Sequence, residues 1–312
     1  MQTDNYIKEK IINKANHLGF QKIGFTNAAF YEQDQERLYS WINSNYHGTM
    51  DWIRKRKEER GNILKYYPEV KTVISFGFNY FSGRGSQDIS KEFKFSNYAW
   101  GDDYHLIIKK YLFEIVEFMK TVLDDFNYRV CIDTSPLMEK QWAMKAGIGW
   151  IGKHTNLITK DYGSWLFLSE ILIDKKIEPD QIYSEDLCGT CTECIDQCPT
   201  DAIVKPYVLD SNKCISYLTI EYRGDIPNDK KDSLDNWLYG CDICQEVCPW
   251  NIKFEKKSED LHFYPREEIK KRDKIKNWEI TEEEFSQIFK KSAVKRTKHK
   301  GLKRNISLVN KY

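Results

Sequence analysis

Cys188-Gly-Thr-Cys-Thr-Glu-Cys-Ile-Asp-Gln-Cys-Pro199 has the spacing C-x2-C-x2-C-x3-C-P, and Cys241-Asp-Ile-Cys-Gln-Glu-Val-Cys-Pro249 repeats its last three thiols. In paired runs of this kind each fourth Cys ligates the other of two [4Fe-4S] clusters. A complete second copy would begin at position 238, where the chain has Leu238. Cys214, between the two runs, is the spare thiol that can take its place. The spacing therefore predicts one cluster on Cys188, Cys191, Cys194 and Cys248, and a second on Cys198, Cys214, Cys241 and Cys244. Structural zinc also uses C-x2-C pairs. Two close-set runs that each end in Cys-Pro fit zinc poorly.

The 312 residues suffice for two domains, and 41% of them are hydrophobic and 14% aromatic, so a sizeable core can form. Mean hydropathy is −0.65, and no apolar run approaches the ~20 residues of a membrane span. The first fifteen residues, MQTDNYIKEKIINKA, have no apolar export segment, and no twin arginine precedes one. The reading predicts a cytoplasmic protein with no membrane partner. A reducing compartment makes clustered cysteines metal ligands rather than disulfides. The ninth cysteine, Cys131, lies in the apolar run Tyr128–Ile132 and reads as a buried core thiol. Net charge is only +1, but Lys290 to Tyr312 holds nine Lys/Arg and no acid. Such a segment predicts a polyanionic partner. A second basic cluster, Arg54–Arg60, is diluted by two Glu.

Apolar residues at helical spacing predict helices over Asn5–Leu18, Tyr104–Phe126 and Pro136–Gly147, and another around Thr281–Lys290. Val73–Tyr80, Tyr128–Thr134 and Ser164–Asp174 read as strands. The expected organisation is a mixed α/β domain over 1–180, a cluster module over 181–255 and a charged segment over 256–312. Clusters move single electrons and do no organic chemistry alone, so the N-terminal domain should hold an acceptor site. No G-x-G-x-x-G follows a strand and no P-loop is present. Two segments stand out. Gly147–Asn156 is glycine-rich, as a backbone approaching a large flat ligand requires. Asp133 ends a strand, where a buried carboxyl can stay protonated and act as an acid. The alternative for Asp133 is a helix cap ahead of Pro136.

The chain resembles the epoxyqueuosine reductase family, cobalamin-dependent enzymes that complete queuosine in tRNA. The resemblance rests on V-C-I-D-T-S-P-L (130–137), A-G-I-G-W-I-G-K-H-T-N (146–156), G-S-W-L-F-L-S-E-I-L (163–172), C-G-T-C-T-E-C-I-D-Q-C-P-T-D-A-I (188–203), C-I-S-Y-L-T-I-E (214–221) and G-C-D-I-C-Q-E-V-C-P-W-N (240–251). It implies an α+β protein: a nitroreductase-like cobalamin domain joined to a ferredoxin-like module with two [4Fe-4S] clusters. It also implies base-off cobalamin. In agreement, neither Asp103–His105 nor Asp260–His262 has Gly three residues on, so the D-x-H-x-x-G ligand motif is absent. His154 is the first suspect should a histidine reach cobalt.

The family's acid maps to Asp133. Corrin contacts map to Tyr98, Asp133, Asn156, Ser164, Ser216, Cys241 and Asp242, with Arg56 or Arg60 reaching a corrin side group. Tyr222, Arg223 and Gly224 map to the edge that meets substrate RNA. The implied reaction reduces epoxyqueuosine in the tRNA anticodon. An external low-potential donor feeds a monomer, and electrons pass through both clusters to cobalamin. Reduced cobalt then attacks the substrate or transfers an electron to it. Trp100 and Asp102 stand where the family often has basic residues. Many relatives continue into a helical-repeat domain that grips tRNA; here the segment after Phe289 is expected to carry more of that binding. Two rivals are a corrinoid reductive dehalogenase, for which the basic segment would be idle, and a simple electron carrier, which leaves the first 180 residues unexplained.

Overall fold

The computed structural model describes residues 2–84, 90 and 92–309. An antiparallel sheet of four strands organises the N-terminal half: β1 (Lys22–Asn27), β2 (Thr72–Asn79), β3 (Tyr128–Cys131) and β4 (Leu166–Ile173), in spatial order β1-β2-β4-β3. Every residue of β2 is buried, and β4 is nearly so. Their sequences, TVISFGFN and LFLSEILI, are rich in the β-branched and aromatic residues that pack on a pleated surface.

Helices cover both faces. α1 (Gln2–His17) and α2 (Tyr104–Met119) bring Ile11, Ala15, Ile108, Leu112, Ile115 and Met119 against Phe76, Phe78 and Ile171. On the other face α3 (Glu139–Lys145) places Trp142 with Val73, Cys131 and Leu172. The end of α3 sits so close to β1 that a Cβ on Gly24 would lie 2.0 Å from the Ala146 carbonyl. Cys131 is fully buried, as its apolar run predicts.

Two helices are shorter than periodicity suggests. α2 stops at Met119 because Asp124 and Asp125 oppose the dipole of a helix end and favour turns. α3 starts at Glu139 because the chain first turns tightly, with Thr134 N bonding Ile132 O and Leu137 N bonding Ser135 O. The position before α3 is Met138, so Asp133 caps no helix.

The basic segment after Phe289 is folded, not free. Ala293–Thr297 forms a 3-10 turn and Lys298–Val309 a helix whose Leu302, Ile306 and Val309 join a core with Phe93, Phe95, Tyr239 and Trp278. Asn305 is fully buried and donates to Thr219 O (2.9 Å) and Leu238 O (2.8 Å). Arg304 donates to the carbonyls of Tyr222 (2.8 Å) and Gly224 (2.7 Å). Residues 310–312 of this segment lie outside the described residues. Among the described residues no helix is long and apolar enough to cross a membrane.

Asn305→Ala should cost about 1–3 kcal/mol, because it removes the side-chain donor to Leu238 O and one of two to Thr219 O, which keeps Thr297 Oγ1. Lys303→Ala, on the exposed face of the same helix, should stay within about 0.5 kcal/mol of wild type. Denaturant unfolding of both variants measures this, and equal midpoints would contradict the packed arrangement.

Candidate redox and acid–base site

Cys188, Cys191, Cys194 and Cys248 line one cavity of about 220 Å³, together with Lys153, His154, Ile158, Leu187 and Trp250. Burial pushes the Cys194 thiol up to about 11, and the neighbouring Cys248, Cys188 and Cys191 add to it. Crowded, buried thiols of this kind are held as thiolates only by positive charge, which an iron cluster supplies. Among the described residues no three His, Cys, Asp or Glu converge on a single-ion point. Thiols around a cavity fit a cluster better than one zinc ion.

The other four predicted thiols also neighbour one another. Burial raises Cys214, Cys241 and Cys244; Cys214 feels Cys198, Cys241 feels Cys244 and Cys214, and Cys244 feels Cys214 and Cys198. Cys244 also feels Cys194 of the first set, so the two sets adjoin. Backbone N–H groups of Ser216 and Tyr217 bond the Cys214 thiol, and Ala202 N donates to Cys198 Sγ at 3.3 Å. Leu238, where a complete second run would have its first cysteine, is fully buried in a short strand, Trp237–Tyr239, that pairs with Lys94–Phe95.

Buried polar bonds lock the cysteine module to the sheet. Asn251 accepts from Ser164 N (2.6 Å) and donates to Ser164 Oγ (2.9 Å), while Gln245 donates to Ser164 Oγ (3.0 Å) and to the Tyr80 hydroxyl (3.3 Å). Gly163 has φ +60, and a Cβ there would lie 2.0 Å from Asn251 Oδ1, so only glycine lets the two segments meet. Asp242 accepts from Ser96 Oγ and from Asn97 N (2.6 Å); burial pushes it up to about 7 against these two bonds. Lys153 pins the first cysteine loop through the carbonyls of Gly189 (2.6 Å) and Cys191 (2.8 Å). The glycines of 147–152 serve the chain itself rather than a ligand: a Cβ on Gly149 would lie 2.1 Å from Ile158 O.

Asp133 follows β3 with φ +49, a strained conformation for a residue with a side chain. Its side chain is 59% exposed, so it is not the buried carboxyl that the sequence reading supposes, and its partner is a histidine. His105 Nε2 lies 3.1 Å from Asp133 Oδ2, and His105 Nδ1 lies 2.7 Å from Asp103 Oδ1. Burial pushes His105 down, but the bonds to Asp103 and Asp133 outweigh it and carry it up to about 9. Tyr104 stacks on the His105 ring (4.0 Å) and on Phe167 (4.2 Å). Behind the loop, Asp133 N donates to Glu139 Oε1, and burial together with Asp133 pushes Glu139 up to about 8. Glu170, fully buried on β4 with neither carboxyl oxygen bonded, is raised well above the carboxylate range by burial and by Glu139.

Lys140 joins the acid to the thiols. It donates to Asn156 Oδ1 at 2.8 Å, burial lowers it, and it feels Cys244, Glu139, Asp133 and Cys214. Tyr98 belongs to the same neighbourhood: its hydroxyl bonds that of Tyr239 at 3.3 Å and it feels Tyr104 and Asp133. Arg60 reaches the acid's loop through Leu137 O at 2.7 Å, whereas Arg56 is paired with Glu59 at 2.5 Å and is exposed. His154 turns its ring into the cavity of the first cysteine set. Sequence reasoning overlooked His105 and Asp103 as acid–base groups. The Asp-x-His spacing at a helix start signals their mutual bond; nothing local signals that Asp133 reaches them.

The edge assigned to RNA is shaped by arginines from both sides. Arg223 donates to Ile220 O (2.9 Å), Thr297 O (3.1 Å) and Arg296 O (2.9 Å). Arg296 pairs with both oxygens of Glu221 and lies 5.0 Å from the Trp52 ring. Tyr222 and Gly224 hold this turn with Arg304. Lys290, Lys291, Lys295, Lys298, Lys300 and Lys303 are exposed.

Residues 187–251 match a 4Fe-4S double cluster binding domain, and residues 60–134 match the epoxyqueuosine reductase QueG model, DUF1730. The epoxyqueuosine reductase of Leadbetterella byssophila is 44% identical over 98% of this chain and 98% of its own, and that of Escherichia coli is 35% identical over 98% and 81%. A crystal structure of epoxyqueuosine reductase with an epoxyqueuosine-modified tRNA-Tyr stem loop superposes with a TM-score of 0.89 at 31% identity, over 98% of this chain and 81% of that one. A Bacillus subtilis epoxyqueuosine reductase, with its catalytic aspartate loop swung out of the active site, superposes at 0.87 with 30% identity over the same shares. With this sequence likeness along nearly its whole length, the chain belongs to the epoxyqueuosine reductase family.

Proposed function

We propose that this chain reduces epoxyqueuosine to queuosine at the wobble position of tRNA, the last step of queuosine biosynthesis. Two electrons and two protons remove the epoxide oxygen as water and leave the cyclopentene diol. The observation that carries the reading is a run of contacts from the Asp133 loop to the cysteine cavity: Asp133 N donates to Glu139, the adjacent Lys140 donates to Asn156, and Asn156 N donates to His154 of the cavity. Electron and proton supply thus meet in one place.

In this reading residues 1–180 form a nitroreductase-like cobalamin domain, 181–255 the ferredoxin-like module and 256–312 a charged segment. One [4Fe-4S] cluster sits on Cys188, Cys191, Cys194 and Cys248, and the other on Cys198, Cys214, Cys241 and Cys244. Tyr98, Asp133, Asn156, Ser164, Ser216, Cys241 and Asp242 would hold the corrin. Arg60 stands nearer the acid than Arg56. Base-off binding fits His105, both of whose ring nitrogens are taken by aspartates. When bound, cobalamin supplies the reduced cobalt centre that delivers electrons to the substrate.

The chain's own residues handle the proton. Asp133 passes a proton to the departing oxygen as it takes one from His105, which Asp103 holds. The swung-out aspartate loop of the Bacillus subtilis relative supports a mobile acid loop; the strained φ of Asp133 suits such movement. The exposed lysines of 290–303, with Tyr222, Arg223 and Gly224, meet tRNA phosphates and the anticodon edge. The protein works as a cytoplasmic monomer fed by an external low-potential donor.

Cys214→Ala should lower anaerobically reconstituted iron from about eight to about four per chain, two clusters becoming one. An unchanged count would remove Cys214 from the ligand set. Asp133→Asn should keep both clusters and lower turnover about 10²–10⁴-fold; near-normal turnover would dismiss it as the acid. His105 is raised, so its proton is present below about 9 and lost as pH rises through that value. Wild-type kcat/KM should therefore fall above pH ~9, and His105→Gln should abolish that limb; a limb that survives the substitution would place it elsewhere. Reversing Lys298, Lys300 and Lys303 to Glu should weaken tRNA binding and flatten its salt dependence while thermal unfolding is unchanged. Full binding with an unaltered salt slope would exclude this surface.

A further inference from the structure

His154 sits in the turn between two short strands, Trp150–Ile151 and Leu157–Ile158. Its ring is 3% exposed and lines the cavity of Cys188, Cys191, Cys194 and Cys248. Asn156 N donates to His154 Nδ1 at 3.1 Å. An Nδ1 that accepts carries a lone pair, so in the neutral ring the proton is on Nε2. That Nε2–H is buried and has no acceptor among the described residues. A buried donor left without an acceptor is costly, so the acceptor belongs to whatever fills the cavity.

We propose that His154 Nε2–H donates a hydrogen bond to a sulfur of the cluster held by Cys188, Cys191, Cys194 and Cys248, and thereby raises its reduction potential. This rests on the reading that those four thiols hold a [4Fe-4S] cluster. A reduced cluster carries one more negative charge, so a fixed donor to its sulfur stabilises the reduced form more than the oxidised form. Neighbouring bonds hold the donor in place. Lys153, the preceding residue, ties the loop that carries Cys188 and Cys191 to the same turn, and a Cβ on Gly152 would come within 3.2 Å of the His154 ring. The other four thiols have backbone donors and, 3.7 Å from Cys198 Sγ, the Thr200 hydroxyl, so the ring N–H is particular to the first set.

The test uses the full chain, reconstituted anaerobically with iron and sulfide, with iron content, EPR-monitored redox titration and proton ENDOR before and after exchange into D2O. Wild type should hold about eight iron atoms and show an exchangeable proton coupled to one reduced cluster. His154→Phe keeps ring volume and loses the donor; it should keep the iron, lose that proton signal and move one of two redox transitions to a more negative potential. His154→Gln, which retains an N–H, should restore part of the shift. Both transitions unmoved in His154→Phe with full iron would overturn the proposal. Should His154→Phe fail to assemble, an exchangeable coupled proton in wild type that changes in His154→Gln supports the bond, and its absence in wild type overturns it. Failure of wild type to reach about eight iron atoms would overturn the cluster reading itself, a distinguishable result.

Discussion

The buried contact among Ser164, Gln245 and Asn251 governs the rest of the structure. Asn251 is fully buried and Ser164 nearly so, and breaking such a bond strands polar groups at about 1–3 kcal/mol each. The cysteine module cannot replace this anchor from within. Its helices Glu193–Asp196 and Ile243–Glu246 are one turn long, and its aromatic contacts, such as Trp250 on Trp150, reach into the N-terminal domain. The module is therefore positioned by the domain it serves. Ser164 lies just before β4, and β4 also carries Glu170 beside the acid's neighbour Glu139. One strand thus fixes both the thiols and the proton-handling groups.

The acid–base arrangement solves a problem that burial alone would not. Asp133 is 59% exposed rather than set in an apolar pocket. An ion pair with His105 keeps a proton one bond away, and Asp103 fixes the ring's orientation. Half-buried Glu139 and fully buried Glu170, both raised by burial, stand behind the loop. Lys140 places positive charge among these groups and the thiols of Cys214 and Cys244.

The metal chemistry was legible in the sequence because ligand spacing is local: C-x2-C-x2-C-x3-C-P states its chemistry without the fold. Cys214, the spare thiol between the runs, neighbours Cys198, Cys241 and Cys244. Three of the sheet's four strands were legible for the same reason, as short apolar β-rich runs; β1, KIGFTN, with Lys, Gly and Asn among six residues, was not. Features set by distant partners were not. The glycines at 147 and 149 looked like a ligand cradle but make room for the carbonyls of Gln181 and Ile158. The basic segment looked like a tail, yet Arg304 and Asn305 bond backbone more than sixty residues away in sequence. His105 gave no sign of Asp133, because that contact exists only once α2 and β3 pack. Asp133 stood out at a strand end and family resemblance gave it the acid's role, while its exposure and strain are visible only in three dimensions.

The central claim is that one chain couples eight thiols and the Asp133 acid to epoxide removal on tRNA. The most direct measurement is nucleoside analysis of epoxyqueuosine-containing tRNA after incubation with anaerobically reconstituted protein, cobalamin and a low-potential reductant. The account predicts conversion to queuosine that stops when cobalamin is left out. Unchanged epoxyqueuosine from protein shown to hold both clusters and cobalamin would contradict it.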